Sequence, residues 1–212
     1  MIITIDGPSG SGKGTLAKSL SKYFNIKHLD TGRLYRTIGL ICLKKGINTN
    51  NIKKIEQIIE KIDINKLNNP ILMKENIAEI ASKVAMHAKV RIALHLFQKK
   101  IILIQNKENK GIIIDGRDTG SKICPTANFK FFLKADTKIR AKRRFEELIC
   151  RKTNVIYKEV LKNIIYRDRR DSSRIISPLI VPNDAIILDS SYLSINQVFQ
   201  RASFIIKGEK TI

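Results

Sequence analysis

Tryptophan is absent from this sequence of 212 residues, and cysteine is scarce. Its three cysteines, Cys42, Cys124 and Cys150, lie far apart and include no C-x-x-C pair, which argues against a disulfide framework and a cysteine-rich metal site. No apolar run approaches the roughly 18 residues of a membrane-spanning helix, and the first ten residues, MIITIDGPSG, do not have the layout of a secretion signal. We therefore expect a cytoplasmic protein that neither crosses a membrane nor is secreted.

Acidic residues are also few, because 19 of them stand against 40 lysines and arginines and give a formal charge of +21. Such a charge makes polyanions candidate partners. The basic residues are scattered, however, and aromatic residues make up only 6% of the chain, whereas nucleic-acid sites usually combine clustered charge with aromatic side chains. We expect no dedicated nucleic-acid site, and a basic RNA-binding protein stays the alternative from a different functional class.

The pattern along the chain alternates between short β-branched runs and segments with helical spacing, over a length and composition typical of one globular domain. Strands are predicted at residues 2–5, 111–115, 128–133 and 185–188. Helices are predicted at about 13–24, 32–45, 52–62, 75–105 with a break near 87–88, 136–151, 155–170 and 194–206. This alternation predicts an α/β fold, in which helices cover both faces of a parallel sheet. Residues 63–74 contain Pro70 and three asparagines and are predicted to form a loop or small insert.

The strongest motif is GPSGSGKGT at residues 7–15, a P-loop variant between the first strand and the first helix. In such loops the backbone N–H groups wrap the phosphates, the helix N-terminus adds its dipole, and the lysine reaches the β- and γ-phosphates. Thr15 or Ser11 could supply a hydroxyl to Mg²⁺, and we favour Thr15. The predicted ATP-binding residues here are Gly7, Pro8, Ser9, Gly10, Ser11, Gly12, Lys13, Gly14 and Thr15.

Two further segments carry charges suited to phosphate binding. Residues 115–118, DGRD, follow a buried strand and should reach the same sheet edge as the P-loop, although they could simply cap a turn. Residues 166–174, YRDRRDSSR, could form an arginine-rich flap over phosphates or a solvated helix face with internal salt bridges. Arg140, Arg143 and Arg144 form a second arginine cluster, which we also assign to ATP binding.

Six segments in order resemble the bacterial-type cytidylate kinases, a family of P-loop nucleoside monophosphate kinases. They are the P-loop, LDTGRLYR at 29–36, SKVA at 82–85 with VR at 90–91, DGRDTG at 115–120, RDRRDSSR at 167–174 followed by Pro178 and Leu179, and DSSYLSI at 189–195. The resemblance implies a P-loop NTPase-type parallel sheet of five strands flanked by helices, with a shortened monophosphate-binding insert and an arginine-rich lid. It predicts one P-loop kinase domain over 1–212, with its core at 1–46 and 80–212, the insert at about 47–79 and the lid at about 151–178.

The resemblance also implies the reaction: phosphoryl transfer from ATP to CMP and dCMP, giving ADP with CDP or dCDP, with Mg²⁺, in pyrimidine nucleotide metabolism. Residues implied to bind CMP are Thr31, Tyr35, Arg36, Ser82, Arg91, Asp115, Gly116, Arg117, Asp118, Arg167, Asp171 and Arg174. Residues implied in catalysis are Lys13, Arg117, Arg167 and Arg174. Within these sets, Arg36 and Arg117 would hold the monophosphate, and Asp118 would read cytosine.

The partners expected from the resemblance are small nucleotides, bound by a monomer that uses neither nucleic acid nor membrane. Because the acceptor is an ionised phosphate oxygen, we expect positioning and charge neutralisation to drive the reaction, without a strong general base. The nearest rival is another P-loop small-molecule kinase that acts on UMP, AMP or a non-nucleotide acceptor.

Overall fold

Five parallel β-strands form one sheet in the structure, a computed structural model that describes residues 1–108, 110–151 and 153–208. The strands are β1 (Ile2–Asp6), β2 (Lys27–Asp30), β3 (Ile112–Gly116), β4 (Phe129–Lys134) and β5 (Ile186–Asp189). Their order across the sheet is β2-β3-β1-β4-β5, so β1 lies in the middle. The predicted five-stranded parallel sheet is confirmed. The sequence pattern alone predicted four of these strands, and β2 came only from the family resemblance.

Eight α-helices lie within the described ranges. They are α1 (Lys13–Phe24), α2 (Thr31–Lys45), α3 (Ile52–Glu60), α4 (Glu75–Val84), α5 (Ala88–Lys107), α6 (Thr137–Cys150), α7 (Tyr157–Ser172) and α8 (Ile195–Lys207). The predicted break in the long helical stretch is present, because α4 ends at Val84 and α5 begins at Ala88. No helix in the described part of the chain is long and apolar enough to cross a membrane.

The chain divides into two compact units, and the first contains Met1–Leu29 and Asn109–Ile212. Side chains from both faces of β1 and β3 are buried, as their β-branched runs require when helices cover both faces of a sheet. Its core is formed by Ile3, Ile5, Leu16, Ala17, Leu20, Ile113, Phe131, Leu133, Leu188, Val198 and Ala202. This core fixes the carboxyl ends of β1, β3 and β5, and three of the motifs found in the sequence begin there.

The second unit, Asp30–Glu108, consists of helices. Helix α2 packs closely on α4 at Gly39, where an added Cβ would lie 3.0 Å from the backbone nitrogen of Ala81. The segment predicted as a loop or small insert contains two short 3₁₀ helices, Ile64–Asn68 and Pro70–Met73. Their buried leucines explain why the segment is ordered against α2, but single buried positions give no periodic signal. The limits of the insert and of the lid stay predictions.

Candidate active site

The P-loop connects β1 to α1 through a backbone that only glycine adopts easily. Gly7, Gly10 and Gly12 have φ values of 155°, 76° and 93°. At Gly7 the requirement is also steric, because an added Cβ would lie 2.2 Å from the carbonyl oxygen of Leu133 on the neighbouring β4. At Gly7 the P-loop backbone is therefore in direct contact with the backbone of β4.

Side chains hold the carbonyl groups of the P-loop from several directions. Arg140 donates to the Ser9 oxygen at 3.0 Å, the Ser190 hydroxyl donates to the Ser11 oxygen at 3.0 Å, and the Lys13 ammonium donates to the Pro8 oxygen at 3.1 Å. A phosphate-binding loop presents its N–H groups to the anion. Turning the carbonyl groups toward protein donors is the arrangement that such a loop needs.

The carboxylate of Asp115 lies beside the start of α1. Its Oδ2 is 3.5 Å from the position of a Cβ built on Gly14, and its Oδ1 is 2.7 Å from Nε2 of His28 on β2. Both side chains are nearly buried, with 13% exposure for His28 and 6% for Asp115. The sequence motifs assign His28 no role in the site, whereas the structure places it directly against Asp115, a predicted CMP-binding residue.

A second buried carboxylate, Asp6, anchors the turn that follows β3. Its Oδ1 accepts hydrogen bonds from the backbone nitrogen of Thr119 at 2.9 Å and from the Thr119 hydroxyl at 2.8 Å. Its Oδ2 accepts from the backbone nitrogen of Gly120 at 2.8 Å. Asp6 thus ties the residue before the P-loop to the two residues after Asp118. Sequence reasoning missed this role, although an acid that ends a buried strand was a usable signal.

We predict that Asp6 makes the free energy of unfolding fall as the pH rises from about 4 to about 6. Burial raises the pKa of Asp6 from 3.8 to about 6, although its three hydrogen bonds lower it. The folded protein therefore binds this proton more tightly than the unfolded chain, and raising the pH through that window favours unfolding. At about 1.4 kcal/mol per pH unit, the effect is on the order of 3 kcal/mol.

Denaturant titrations of the wild type and Asp6→Asn between pH 4 and pH 7 measure this effect. The stability of the wild type relative to the variant should decrease with pH up to about 6 and then level off. A difference that stays constant over the whole range would contradict the raised pKa.

Arg117 and Asp171 form the central ion pair on the other side of the DGRD turn. The Arg117 Nε donates to Asp171 Oδ2 at 2.8 Å, and Arg174 lies 3.6 Å from Asp171 Oδ1. Burial raises the pKa of Asp171, but Arg117 and Arg174 outweigh it and hold this pKa below its usual value. Burial lowers the pKa of Arg117, but the Asp171 carboxylate outweighs it and the net shift is upward. Both side chains are therefore held in their charged forms.

This pair joins two of the segments that the sequence singled out, residues 115–118 and residues 166–174. Arg117 follows β3, Asp171 lies in the last turn of α7, and Arg174 lies just beyond that helix. Arg167 is half-buried on the same helix, four residues before Asp171. Gly116 is the last residue of β3 and is in register with Asp6 on β1.

The three arginines predicted from α6 contact protein groups in the structure. Arg143 donates to the Ser190 hydroxyl at 3.2 Å, and Arg144 donates to Glu147 at 2.7 Å. Arg140 is 4% exposed and bonds to Ser9 and Asp168 among others. Their assignment to ATP binding stays a prediction. The sequence does not predict that Ser190 and Asp168 bind these arginines, because the partners are distant in sequence.

The remaining predicted CMP-binding residues lie in the second unit. Thr31, Tyr35 and Arg36 lie on α2, Ser82 on α4 and Arg91 on α5. The Arg91 guanidinium carbon lies 5.7 Å from the centre of the Tyr35 ring, and Arg36 donates to the carbonyl oxygen of Leu72 at 2.7 Å. Within this unit, α2 thus contacts Arg91 of α5 through Tyr35 and the second 3₁₀ helix through Arg36.

A sequence model of the cytidylate kinase family matches residues 3–207. The chain belongs to the cytidylate kinase family. The cytidylate kinase of Xanthobacter autotrophicus is 41% identical over 210 residues, covering 99% of both chains. That of Clostridioides difficile is 40% identical over 210 residues, covering 94% of this chain and 95% of the relative. The resemblance drawn from the six segments is confirmed.

Solved structures with low sequence identity share the fold. An uncharacterized protein from Eubacterium ventriosum has a TM-score of 0.58 at 15% identity and covers 99% of both chains. A sugar kinase from Janibacter has a TM-score of 0.53 at 12% identity and covers 97% of this chain and 94% of that one. At these identities the likeness concerns the fold alone.

Proposed function

We propose that the protein transfers the γ-phosphoryl group of ATP to CMP and dCMP, with Mg²⁺, in the cytoplasm and as a monomer in pyrimidine nucleotide metabolism. The observation that carries this proposal is the P-loop at the end of β1, with Asp115 and Arg117 at the end of the adjacent β3, in a member of the cytidylate kinase family. Parallel sheets bind ligands beyond the carboxyl ends of their strands. The same edge therefore offers a phosphate cradle and charged side chains for the reaction.

On the ATP side, the P-loop residues and Lys13 would hold the triphosphate. Lys13 lies in the first turn of α1 with its ammonium at the P-loop itself, so its charge is placed where β- and γ-phosphates are bound in such loops. Arg143 and Arg144 would contribute from α6. Because the loop carbonyls are held by Arg140 and Ser190, the loop needs little rearrangement to receive phosphates.

The oxygen donors near the start of α1 fit Mg²⁺, which prefers carboxylate, hydroxyl and phosphate oxygens. Thr15 offers a hydroxyl from an exposed position in the first turn, and Asp115 offers a carboxylate beside Gly14. When bound, the ion would neutralise charge on the β- and γ-phosphates. The His28 ring orients the Asp115 carboxylate through its 2.7 Å contact.

On the CMP side, we assign Arg36 and Arg117 to the monophosphate, with Thr31 and Tyr35 near it. Ser82, Arg91 and Asp118 would contact cytosine, and Arg167 and Asp171 the sugar. Arg174 would neutralise charge on the transferred group. The acceptor oxygen of CMP is already ionised near neutral pH, so these residues need only position it in line and balance charge.

We predict that Asp118→Asn lowers the preference for CMP over UMP at least about tenfold. The carboxylate accepts from the cytosine amino group and repels the uracil carbonyl, whereas an amide can donate to that carbonyl. Asp118 is 5% exposed, so solvent would not mask the exchange. The measurement is kcat/KM for both substrates in the wild type, Asp118→Asn and the exposed control Glu79→Gln. Equal losses on CMP and UMP would exclude Asp118 from base recognition.

Initial rates with ATP and a panel of acceptors test the proposed function as a whole. CMP and dCMP should be used well, UMP poorly and AMP least. A preference for AMP, UMP or a non-nucleotide acceptor would place the chain among the rival P-loop kinases. Binding of generic RNA with a steep salt dependence and without turnover would favour the nucleic-acid alternative.

A further inference from the structure

Arg140 is buried where three parts of the first unit meet. Its Nε donates to the Ala135 oxygen at 2.8 Å, its Nη2 to the Thr137 hydroxyl at 2.7 Å, and its Nη1 to the Ser9 oxygen at 3.0 Å. Nη1 also donates to Oδ2 of Asp168. All three guanidinium nitrogens thus have protein acceptors, at an exposure of 4% for the residue.

The acceptors connect the P-loop with helix α7. Ser9 is a P-loop residue, and the adjacent Gly10 lies so close that a Cβ added to it would be 3.2 Å from the Cβ of Arg140. Asp168 lies on α7, one turn before Asp171, which pairs with Arg117. Helix α7 is therefore anchored at two successive turns, once to the DGRD segment and once, through Arg140, to the P-loop.

The ion pair with Asp168 also restricts what else Arg140 can do. The Asp168 side chain is 20% exposed, and its Oδ1 is buried without a hydrogen-bond partner among the described residues. If Arg140 moved to a nucleotide phosphate, this carboxylate would lose its cation in a largely dry environment, which is strongly unfavourable. A guanidinium that already satisfies four acceptors is suited to holding backbone in place.

We propose that Arg140 is a positioning residue that sets the P-loop conformation and, through its ion pair with Asp168, couples the P-loop to α7. This inference rests on the proposed function, since α7 carries Arg167 and Asp171 of the proposed CMP site. It replaces the expectation that Arg140 contacts ATP. Asp168 affects the reaction only by holding Arg140, and neither residue touches the reacting atoms.

Asp168→Asn should change ATP affinity in opposite directions, depending on whether Arg140 contacts ATP or positions the P-loop. Asp168→Asn removes a negative charge near the P-loop and releases Arg140 from its ion pair. If Arg140 were an ATP contact, or if charge alone mattered, the variant would bind ATP more tightly. If the pair positions the P-loop, the variant should bind ATP about tenfold more weakly. Calorimetry with a non-hydrolysable ATP analogue, without CMP, measures this difference.

The controls keep the test independent of folding and of the identity of the acceptor. Glu159→Gln makes the same charge change on the exposed first turn of α7 and should leave ATP affinity within about twofold of the wild type. Thermal unfolding confirms that each variant is folded. Wild-type binding of ATP without turnover of CMP would refute the proposed function while leaving this test intact.

Turnover in a double-mutant cycle gives the second readout. Arg140→Lys and Asp168→Asn should each lower kcat with ATP and CMP roughly tenfold, with KM for CMP within about twofold, since Asp171 stays anchored by Arg117. The double variant should be no worse than the poorer single variant by more than about twofold. Tighter ATP binding by Asp168→Asn, wild-type kcat in that variant, or additive losses in the double variant would each overturn the proposal.

Discussion

Lys13→Ala should lower kcat for ATP and CMP at least about 100-fold. The ammonium of Lys13 sits at the P-loop, 3.1 Å from the Pro8 oxygen, where it would face the β- and γ-phosphates of bound ATP. Charge aimed at a phosphoryl group in transfer acts on the transition state more than on bound substrate, so KM should change less than kcat. Steady-state kinetics with both substrates varied measures the two effects separately.

The matched control for this variant is Lys18→Ala, which removes an exposed lysine from the same helix. Its kcat should equal that of the wild type. Both variants should stay folded, because the Pro8 contact is one half-buried hydrogen bond worth about 1 kcal/mol. A Lys13→Ala variant with near-normal kcat, or a Lys18→Ala variant with an equal loss, would remove Lys13 from the mechanism.

Arg117→Ala should have two large effects, one on stability and one on turnover. It removes the closest cation of the buried Asp171 carboxylate. Arg174, at 3.6 Å, is then the nearest remaining cation. Breaking a buried pair from one side typically costs about 3–5 kcal/mol, and the remaining arginine should reduce this toward the lower end. Because Arg117 is also the proposed monophosphate ligand, kcat/KM for CMP should fall at least about 100-fold.

The double variant Arg117→Ala with Asp171→Asn separates these effects. An amide needs no cation, so the double variant should regain much of the lost free energy of unfolding, as measured by denaturant titration. Its kcat/KM for CMP should remain low. If activity returned together with stability, Arg117 would be a structural partner of Asp171 and no phosphate ligand.

Local sequence patterns predicted the elements of the sheet well. The β-branched run of β1, the P-loop glycines and the helical spacing of α1 are short-range signals, and the structure has them where they were predicted. The strand Ile186–Asp189 differs by one residue from its prediction. The exception is β2, whose four residues KHLD have one buried position and no clear alternation.

Contacts between distant residues could not be predicted in the same way. Asp6 and Thr119 are 113 residues apart, and Arg140 and Ser9 are 131 residues apart. Their proximity follows from the order of strands in the sheet, which places the ends of β1, β3 and β4 side by side. The sequence showed arginines and acids that can form ion pairs. Which acid pairs with Arg140 depends on how α6 and α7 pack, and the structure shows that it is Asp168.

The 3₁₀ segments after α3 show a different limit. Pro70 and the surrounding asparagines predicted a break, and Asn69 does cap the turn that begins at Pro70. The buried side chains of Leu67 and Leu72 hold this stretch against its neighbours, yet two isolated apolar residues among polar ones resemble an exposed loop in sequence. The local sequence therefore indicated the turn at Pro70, but it did not indicate that the neighbouring leucines are buried.

Direct conversion of ATP and CMP by the purified protein tests the central claim. Incubation with Mg²⁺ and analysis of the nucleotides by ion-exchange chromatography should show ADP and CDP formed in a ratio of one to one, with dCMP giving dCDP and with chelation of the metal stopping the reaction. ADP released without CDP, or CMP left unchanged at saturating ATP, would contradict the assignment of this chain as a kinase that acts on CMP.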